Sequence, residues 1–492
     1  MIDEKTPQIS IVIPSYNEEH RLPKFLDEVI RFTSESRKKY EIIVVDDGST
    51  DQTREVAISF SARNKGLKVV SLAHNQGKGY AVKSGLYKAR GNIRVFLDAD
   101  GSVHPREIEK NLDYFDRGYD VIIGSRVLQG EGQILERKWL RIAMGIVFNF
   151  FVKHILGMPF LDTQCGFKMF RADVIKHVFA RMYLRRFGFD VEMLFLVNKC
   201  GYKAVEVPVS WKHIPGSKIN LMTDTLAMLI NVFQVRNWHW TPVNMKHKYL
   251  GPNEYLFMWK LEKSHWWFTS RREIIKRLIL KYNNGVEKIL DSGCGTGANL
   301  EMLNDLGKAY GIDVSKQAVS FCKQRGLANV ICTSLEPLPF KGKSFDTVLA
   351  LDVLEHLEDP VSALTSLYRV MKPGAKIFVT VPAFKTLWSQ HDEALCHFRR
   401  YSREDLRMLL SECGFRCEHM GYLFFLSFFA VAPIRLIRRL FRTRGEWKSD
   451  TTTQPPPFLN HCLKIWFIWE YKLSRYIPLP FGSSIYGVAS KP

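Results

Sequence analysis

Short β-branched runs recur along the first half of the chain, at Ile9–Pro14, Tyr40–Asp46, Lys68–Ala73 and Ile93–Asp98. Between them, Arg21–Glu35, Thr50–Ala62 and Gly77–Ala89 space their apolar residues as helices do. Strands alternating with helices of this length predict a parallel sheet with right-handed crossovers. Past residue 285 the pattern begins again. Glu287–Asp291, Asn329–Thr333, Phe345–Leu351 and Lys376–Val381 read as strands, and Gly311-Ile-Asp313 ends another. The chain is therefore expected to be α/β with two domains, 1–240 and 286–492, joined by a helical connector at 241–285. That connector carries Trp259, Trp266, Trp267 and Phe268, then Arg271, Arg272, Lys276 and Arg277 at helical spacing. Such a helix packs on something apolar, either the next domain or a membrane.

Composition agrees and adds a charge. A chain of 492 residues is too long for one core. Its net charge of +20 attracts polyanions: nucleic acid, anionic lipid or phosphorylated substrates. The basic residues cluster beside apolar runs and no nucleic-acid reader is recognisable, which favours a membrane surface over nucleic acid. Nine scattered cysteines with no C-x-x-C pair read as reduced cytoplasmic thiols. Met1 to Gln8 is polar, so no signal peptide is expected. The apolar runs Ile142–Val152 and Tyr422–Ile434 hold about a dozen residues against about 20 for a membrane-spanning helix. Arg137, Lys138 and Arg141 flank the first, and Arg435, Arg438, Arg439 and Arg442 the second. They read as interfacial helices, or else as buried core helices. A peripheral or monotopic position on the cytoplasmic face of the cell membrane follows as the expectation.

Chemistry enters at the strand ends, where parallel sheets bind ligands. Glu18 follows the first strand, Asp46 and Asp47 the second, and Asp98 and Asp100 the fourth. Alternate residues at a strand end point the same way, so Asp98 and Asp100 can face one hard cation, Mg²⁺ or Mn²⁺. Such triplets are also common on solvated loops; the neighbouring Asp46 and Asp47 weigh against that reading.

The motifs Pro14-Ser-Tyr-Asn-Glu18, Val45-Asp-Asp-Gly-Ser-Thr-Asp51, Asn75-Gln-Gly-Lys-Gly79, Asp98-Ala-Asp-Gly101 and Gly124-Ser-Arg126 resemble family 2 glycosyltransferases of the GT-A fold. Asp162–Phe170, Phe189-Asp-Val-Glu192, Val207–Trp211 and Gly216-Ser-Lys218 narrow the resemblance to the dolichyl-phosphate glucosyltransferases and, less closely, the dolichol-phosphate mannose synthases. The resemblance covers almost all of residues 1–240. It implies a nucleotide-sugar donor (UDP or GDP), a divalent metal, a polyprenyl-phosphate acceptor, dolichyl or undecaprenyl, and inversion at the anomeric carbon. Carried over, Pro14, Tyr16, Glu18, Asp46, Asp47, Lys78 and Asp98 would hold the nucleotide sugar, and Asp98 and Asp100 the metal. Arg126, Arg137 and Lys218 would meet the acceptor phosphate. Asp190 and Glu192 stand where hydroxyl-directed relatives keep a base, and would instead orient the sugar or the cations. Two features depart from the family. The eukaryotic enzymes carry an N-terminal membrane helix not seen here, and Ser102 replaces a metal-binding glutamine of the mannose synthases.

In the second half, Gly293-Cys-Gly-Thr-Gly297 follows a strand and Asp313 ends the next. The missing third glycine of the dinucleotide fingerprint, together with this Asp, favours S-adenosylmethionine over NAD. With Val353-Leu-Glu-His356 and Val370-Met-Lys-Pro-Gly374, the segment resembles class I S-adenosylmethionine-dependent methyltransferases of Rossmann-like fold. The resemblance implies cofactor contacts from Asp291, Gly293, Gly295, Gly297, Asp313, Asp352 and the loop at Ser334, which stands where an aspartate is usual. His356 is the candidate base, with His391 and His397 as rivals. The sheet is expected to end in a hairpin, Arg416–Tyr422 with Ser484–Ser490, around an amphipathic helical insertion at about 423–482 that would dock on an anionic membrane. The reading is a bifunctional enzyme that glucosylates a polyprenyl phosphate, from UDP-glucose, and methylates a lipid-linked or sugar substrate. Its alternative is an active glycosyltransferase with a catalytically silent, methyltransferase-like docking module.

Overall fold

The computed structural model describes residues 7–128, 139–212, 214, 221–239, 251–283, 285–440 and 454–492. The chain folds as two units, Met1–His239 and Trp240–Pro492.

The first unit holds seven strands: β1 (Ile9–Ser15), β2 (Tyr40–Asp46), β3 (Leu67–Ser71), β4 (Ile93–Leu97), β5 (Val121–Ser125), β6 (Phe167–Arg171) and β7 (Ala204–Pro208). They are ordered β3-β2-β1-β4-β6-β5-β7. β1 pairs with β2 from Ile9↔Tyr40 to Ser15↔Asp46, which carries both strands to one carboxyl edge. The expected all-parallel sheet is corrected at β6, which runs antiparallel to β4 and β5. After β5 the chain passes through the helix Trp139–Leu156 and re-enters at that same edge, where Asp98 N donates to Gly166 O at 3.2 Å. A strand entering there runs back against its neighbours. Both faces are covered. Val12, Ile43, Val45, Phe96 and Phe170 pack in one core, and Ile11, Ile13, Val44, Val95 and Leu97 in another.

The second unit also holds seven strands: β8 (Lys288–Ser292), β9 (Lys308–Asp313), β10 (Val330–Cys332), β11 (Phe345–Leu351), β12 (Met371–Pro382), β13 (Arg416–Leu423) and β14 (Ser484–Ser490). Their order is β10-β9-β8-β11-β12-β14-β13, and β14 is antiparallel to both its neighbours. The insertion between β13 and β14 contains helices Phe425–Leu440 and Pro457–Leu473.

Two expectations about apolar segments change. Tyr422–Ile434 is not one helix, because Tyr422 and Leu423 finish β13 before the helix begins at Phe425. The insertion is also partly core. Phe424, Phe467 and Tyr471 are buried, Trp266 stacks on Phe467 at 4.8 Å, and Glu470 accepts from the amides of Phe425 and Leu426 at 2.9 and 3.1 Å. The aromatic helix Trp266–Tyr282 thus packs on the insertion of its own unit. The opposite face, with Phe458, Ile465, Trp466, Trp469 and Tyr476, is exposed. Among the described residues no helix is long and apolar enough to cross a membrane.

Candidate active sites

In the first unit the carboxyl edge of β1, β2 and β4 gathers the acidic residues. Pro14 is buried in β1. Tyr16 and Glu18 lie on the loop that follows, where both carboxylate oxygens of Glu18 accept from Arg21 at 2.6 Å. Asp46 caps its own turn by accepting from Ser49 N at 3.1 Å. Asp47 accepts from Gln76 N and Gly77 N, each at 2.8 Å, and so anchors the loop before Lys78. Burial pushes the Asp47 carboxyl above the ordinary range, against those two donors. Asp98 lies 2.6 Å from Lys78 Nζ. A Cβ on Gly166 would sit 2.1 Å from Asp98 Oδ2, so only glycine lets β6 start against this carboxylate. Asp100 accepts from Ser102 N at 2.9 Å. Burial opposes the Lys78 charge, but Asp98, Asp190 and Asp100 outweigh it and hold the ammonium above its ordinary range.

Arg126 is fixed by Asp162, which accepts from its Nε and Nη2 at 2.8 Å and from its backbone N at 2.9 Å. Asp190 accepts from the fully buried Lys168 at 2.6 Å, and that ammonium also donates to Cys165 O at 2.7 Å. Burial raises the Asp190 carboxyl although Lys168 and Lys78 oppose it. Glu192 holds the Tyr183 and Leu184 amides and lies 2.7 Å from the His239 ring. Its oxygens serve the fold. Arg137 and Lys218 lie outside the described residues. Lys168 was missed as a site residue; its signal was a lysine inside the apolar strand Phe-Lys-Met-Phe.

In the second unit Asp291 is the last residue but one of β8, beside the loop 293–297. Gly293, Gly295 and Gly297 take φ of 75°, 53° and 92°, the left-handed region that glycine occupies without strain. A Cβ at Gly293 would meet Val353 at 2.5 Å. Asp313 Oδ2 accepts from Gly295 N and Oδ1 from Ser315 N, both at 2.9 Å, so this carboxylate shapes the glycine loop. Asp291 is buried, and neither of its carboxylate oxygens has a hydrogen-bond partner among the described residues. Burial pushes its carboxyl to about 7; Arg271 pulls it down and Asp313 adds to the rise. Arg271 pairs with Asp352 and lies over the Trp267 ring at 4.5 Å. Burial lowers its guanidinium to about 10. Asp352 also accepts from Thr380 Oγ1 at 3.0 Å. Ser334 is exposed and turns its hydroxyl to Glu336 O at 2.7 Å.

The three rival histidines share one cluster. The His356 ring is 4.6 Å from that of His397, and His391 lies 6.2 Å from His397. Asp392 is 3.0 Å from His397 Nδ1 and accepts from Arg400 Nε at 2.7 Å. Burial lowers the His356 imidazole well below its ordinary range, and His397 adds to this. Arg271, Glu355 and Asp392 were missed as site residues. Their sequence signal was weak, because helical arginines and loop acids are common; only burial singles them out.

Two transferase domains are thus defined, a GT-A-like glycosyltransferase and a Rossmann-like methyltransferase. Residues 10–179 match the family Glycosyl transferase family 2, and residues 290–379 match Methyltransferase domain. The dolichyl-phosphate beta-glucosyltransferase of Dictyostelium discoideum is 32% identical over 252 residues, 48% of this chain and 77% of that protein. The Homo sapiens protein of the same name is 34% identical over 230 residues, 44% of this chain and 71% of that protein. Among solved structures, glucosyl-3-phosphoglycerate synthase from Mycobacterium tuberculosis with uridine diphosphate aligns at 20% identity and a TM-score of 0.36, over 46% of this chain and 80% of that one. Through its first half, the chain belongs to the dolichyl-phosphate beta-glucosyltransferase family.

Proposed function

We propose that the first domain, 1–240, transfers glucose from UDP-glucose, with inversion, to a polyprenyl phosphate. The second, 286–492, transfers methyl from S-adenosylmethionine to a lipid-linked or sugar acceptor. Both work at the cytoplasmic face of a membrane. The observation that carries the first half is the convergence of Asp98, Asp100, Lys78 and Asp190 at one strand edge.

Asp98 and Asp100 would hold Mg²⁺ or Mn²⁺, which neutralises charge developing on the departing diphosphate. Glu18, Asp46 and Asp47 border the nucleotide, with Pro14 and Tyr16. The acceptor is a phosphate monoester with a second pKa of about 6, so it is largely dianionic at neutral pH and needs no strong base. One of its oxygens attacks the anomeric carbon as the bond to the diphosphate breaks on the other face. What it requires is cations that hold it in line. Arg126, braced by Asp162, is suited to that work, with Arg137 and Lys218 proposed beside it. Asp190 orients Lys78 and Lys168 rather than taking a proton.

In the second domain the Asp291 carboxylate, which has no hydrogen-bond partner among the described residues, fits the amino-acid end of S-adenosylmethionine, whose ammonium supplies the missing donors. Asp313 fits its ribose, and the glycine loop lets the backbone approach. The cofactor supplies an activated methyl group; Asp352, Arg271 and the loop at Ser334 border the same pocket. Methyl transfer then depends mainly on alignment. The silent-dock alternative rests on the exposed Trp466 and Trp469 face. The Asp291 carboxylate, without a hydrogen-bond partner among the described residues, favours retained cofactor binding, which a mere dock does not need. Incubating membranes containing the protein with a panel of nucleotide sugars and with methyl-labelled S-adenosylmethionine tests both halves. No labelled lipid from any sugar defeats the first, and no cofactor binding defeats the second.

A further inference from the structure

Glu355, His356 and His397 offer ligand atoms that all lie within 4.8 Å of one another. The first two come from the turn Leu354–His356 after β11, and His397 from the loop after the helix Gln390–Ala394. Phe398 N donates to Glu355 O at 2.7 Å and zips the two segments together.

Each residue keeps one donor atom for something else. Glu355 Oε2 is buried without a hydrogen-bond partner among the described residues. His397 turns Nδ1 to Asp392 at 3.0 Å, which presents Nε2. Asp392 is itself clamped by Arg400 Nε at 2.7 Å and Ser389 N at 2.9 Å. The Leu395 backbone carbonyl faces the His356 ring. A carboxylate or carbonyl behind each imidazole is the outer shell that metal-binding histidines carry. A buried carboxylate oxygen with no donor is otherwise costly. Two neutral imidazoles and one carboxylate suit zinc and its first-row neighbours better than Mg²⁺. Metal bonds of about 2.0–2.2 Å require donors closer than 4.8 Å, so a short inward rotation of the side chains accompanies binding.

We propose that Glu355, His356 and His397 form a metal site for a zinc-type divalent ion, with Asp392 as a positioning residue. His356 is then a ligand, not a base. The site follows directly on Asp352 and β11, at the sheet edge proposed for S-adenosylmethionine. Its role rests on the methyltransferase reading. An acceptor hydroxyl bound to the ion releases its proton to water, and its oxygen attacks the methyl carbon. The carbon–oxygen bond forms as the carbon–sulfur bond of the sulfonium breaks, and the neutral thioether leaves.

The test is Co²⁺ titration of the chelator-stripped full-length protein, followed by visible absorption and then Zn²⁺ competition. One equivalent should give the intense d–d bands of a low-coordinate, nitrogen-containing site, and Zn²⁺ should abolish them. An all-oxygen octahedral site at Asp98 and Asp100 absorbs only weakly. The bands should survive Asp100→Asn, and Glu355→Gln and His397→Asn should lose them. Asp392→Asn should weaken Zn²⁺ binding about 10–100-fold. Absence of such bands in the wild-type protein overturns the site whatever the variants do, as does an unchanged titration in folded Glu355→Gln and His397→Asn. S-adenosylmethionine binding, measured separately by calorimetry, keeps the two readings apart. Cofactor binding without the bands removes this site alone, and the bands without cofactor binding remove only its methyltransferase role.

Discussion

Lys78 Nζ stands 2.6 Å from Asp98 Oδ1, so an ammonium already occupies the carboxylate on which the donor's metal is expected. Ion and lysine must then share Asp98, with Asp190 as the second anion that holds Lys78 in place. Asp100→Asn is expected to nearly abolish sugar transfer while S-adenosylmethionine binding stays unchanged, because the two sites lie in separate units. Radiolabelled transfer and calorimetry on one preparation check this. Normal transfer by the variant in saturating Mg²⁺ or Mn²⁺ would end the metal assignment.

Asp162→Asn should lower transfer with little change in donor affinity. It removes the carboxylate that holds Arg126 in a two-pronged pair, so the cation loses its aim rather than its charge. Loss of one positioned donor to a reacting phosphate costs about 10²–10³ in rate. The check is kcat against the KM for polyprenyl phosphate at fixed donor; an unchanged kcat would mean that Arg126 takes no part.

Asp313→Ala should weaken S-adenosylmethionine binding by more than a lost ribose contact alone. The carboxylate also holds the Gly295 and Ser315 amides, and leaving such buried donors unpaired costs about 1–3 kcal/mol. Calorimetry reads the affinity, and thermal melting reads the loop.

The raised Asp291 carboxyl gives a pH dependence with a definite sign. Its folded pKa of about 7 exceeds the ordinary 3.8, so the cofactor-free fold binds more protons than the unfolded chain between those values. Stability contributed by this group therefore falls as pH rises toward about 7 and levels off above it. A ligand ammonium favours the ionised acid, so S-adenosylmethionine affinity should rise with pH up to about 7, by at most about tenfold per unit, with proton release on binding below that pH. Calorimetry in buffers of different ionisation enthalpy measures it. Equal affinity at about pH 6 and pH 8, with no proton released, would show that Asp291 does not face the cofactor's charge.

The insertion should separate into a core face and a lipid face. Phe467→Ala is expected to cost about 3–5 kcal/mol of stability, since Phe467 is buried against Trp266 and Phe424. Ser at Phe458, Trp466 and Trp469 together should leave melting nearly unchanged and reduce flotation with anionic vesicles, an effect that high salt partly reproduces. Arg435 adds little to that anchor, because it is buried and donates to Leu387 O at 2.9 Å. Full flotation by the triple variant would remove the membrane face.

The sequence alone determined β1–β4, the seven strands of the second unit and the loops that end them; β5, β6 and β7 were found only in the structure. β2, β11 and β14 fall on Tyr40–Asp46, Phe345–Leu351 and Ser484–Ser490, because β-branched runs and the acids or glycines closing them are local signals. The same locality put Asp98, Asp100, Asp291 and Asp313 at strand ends. Tertiary structure decided what distance along the chain conceals. β6 turns antiparallel because its chain re-enters the sheet at the carboxyl edge, and only packing distinguishes Phe467, which is core, from Trp466, which is surface. Lys168 meets Asp190, Arg126 meets Asp162, and Glu355 and His356 meet His397, across separations that no periodicity reports. A buried charge is defined by its partner, and the partner is chosen by the fold.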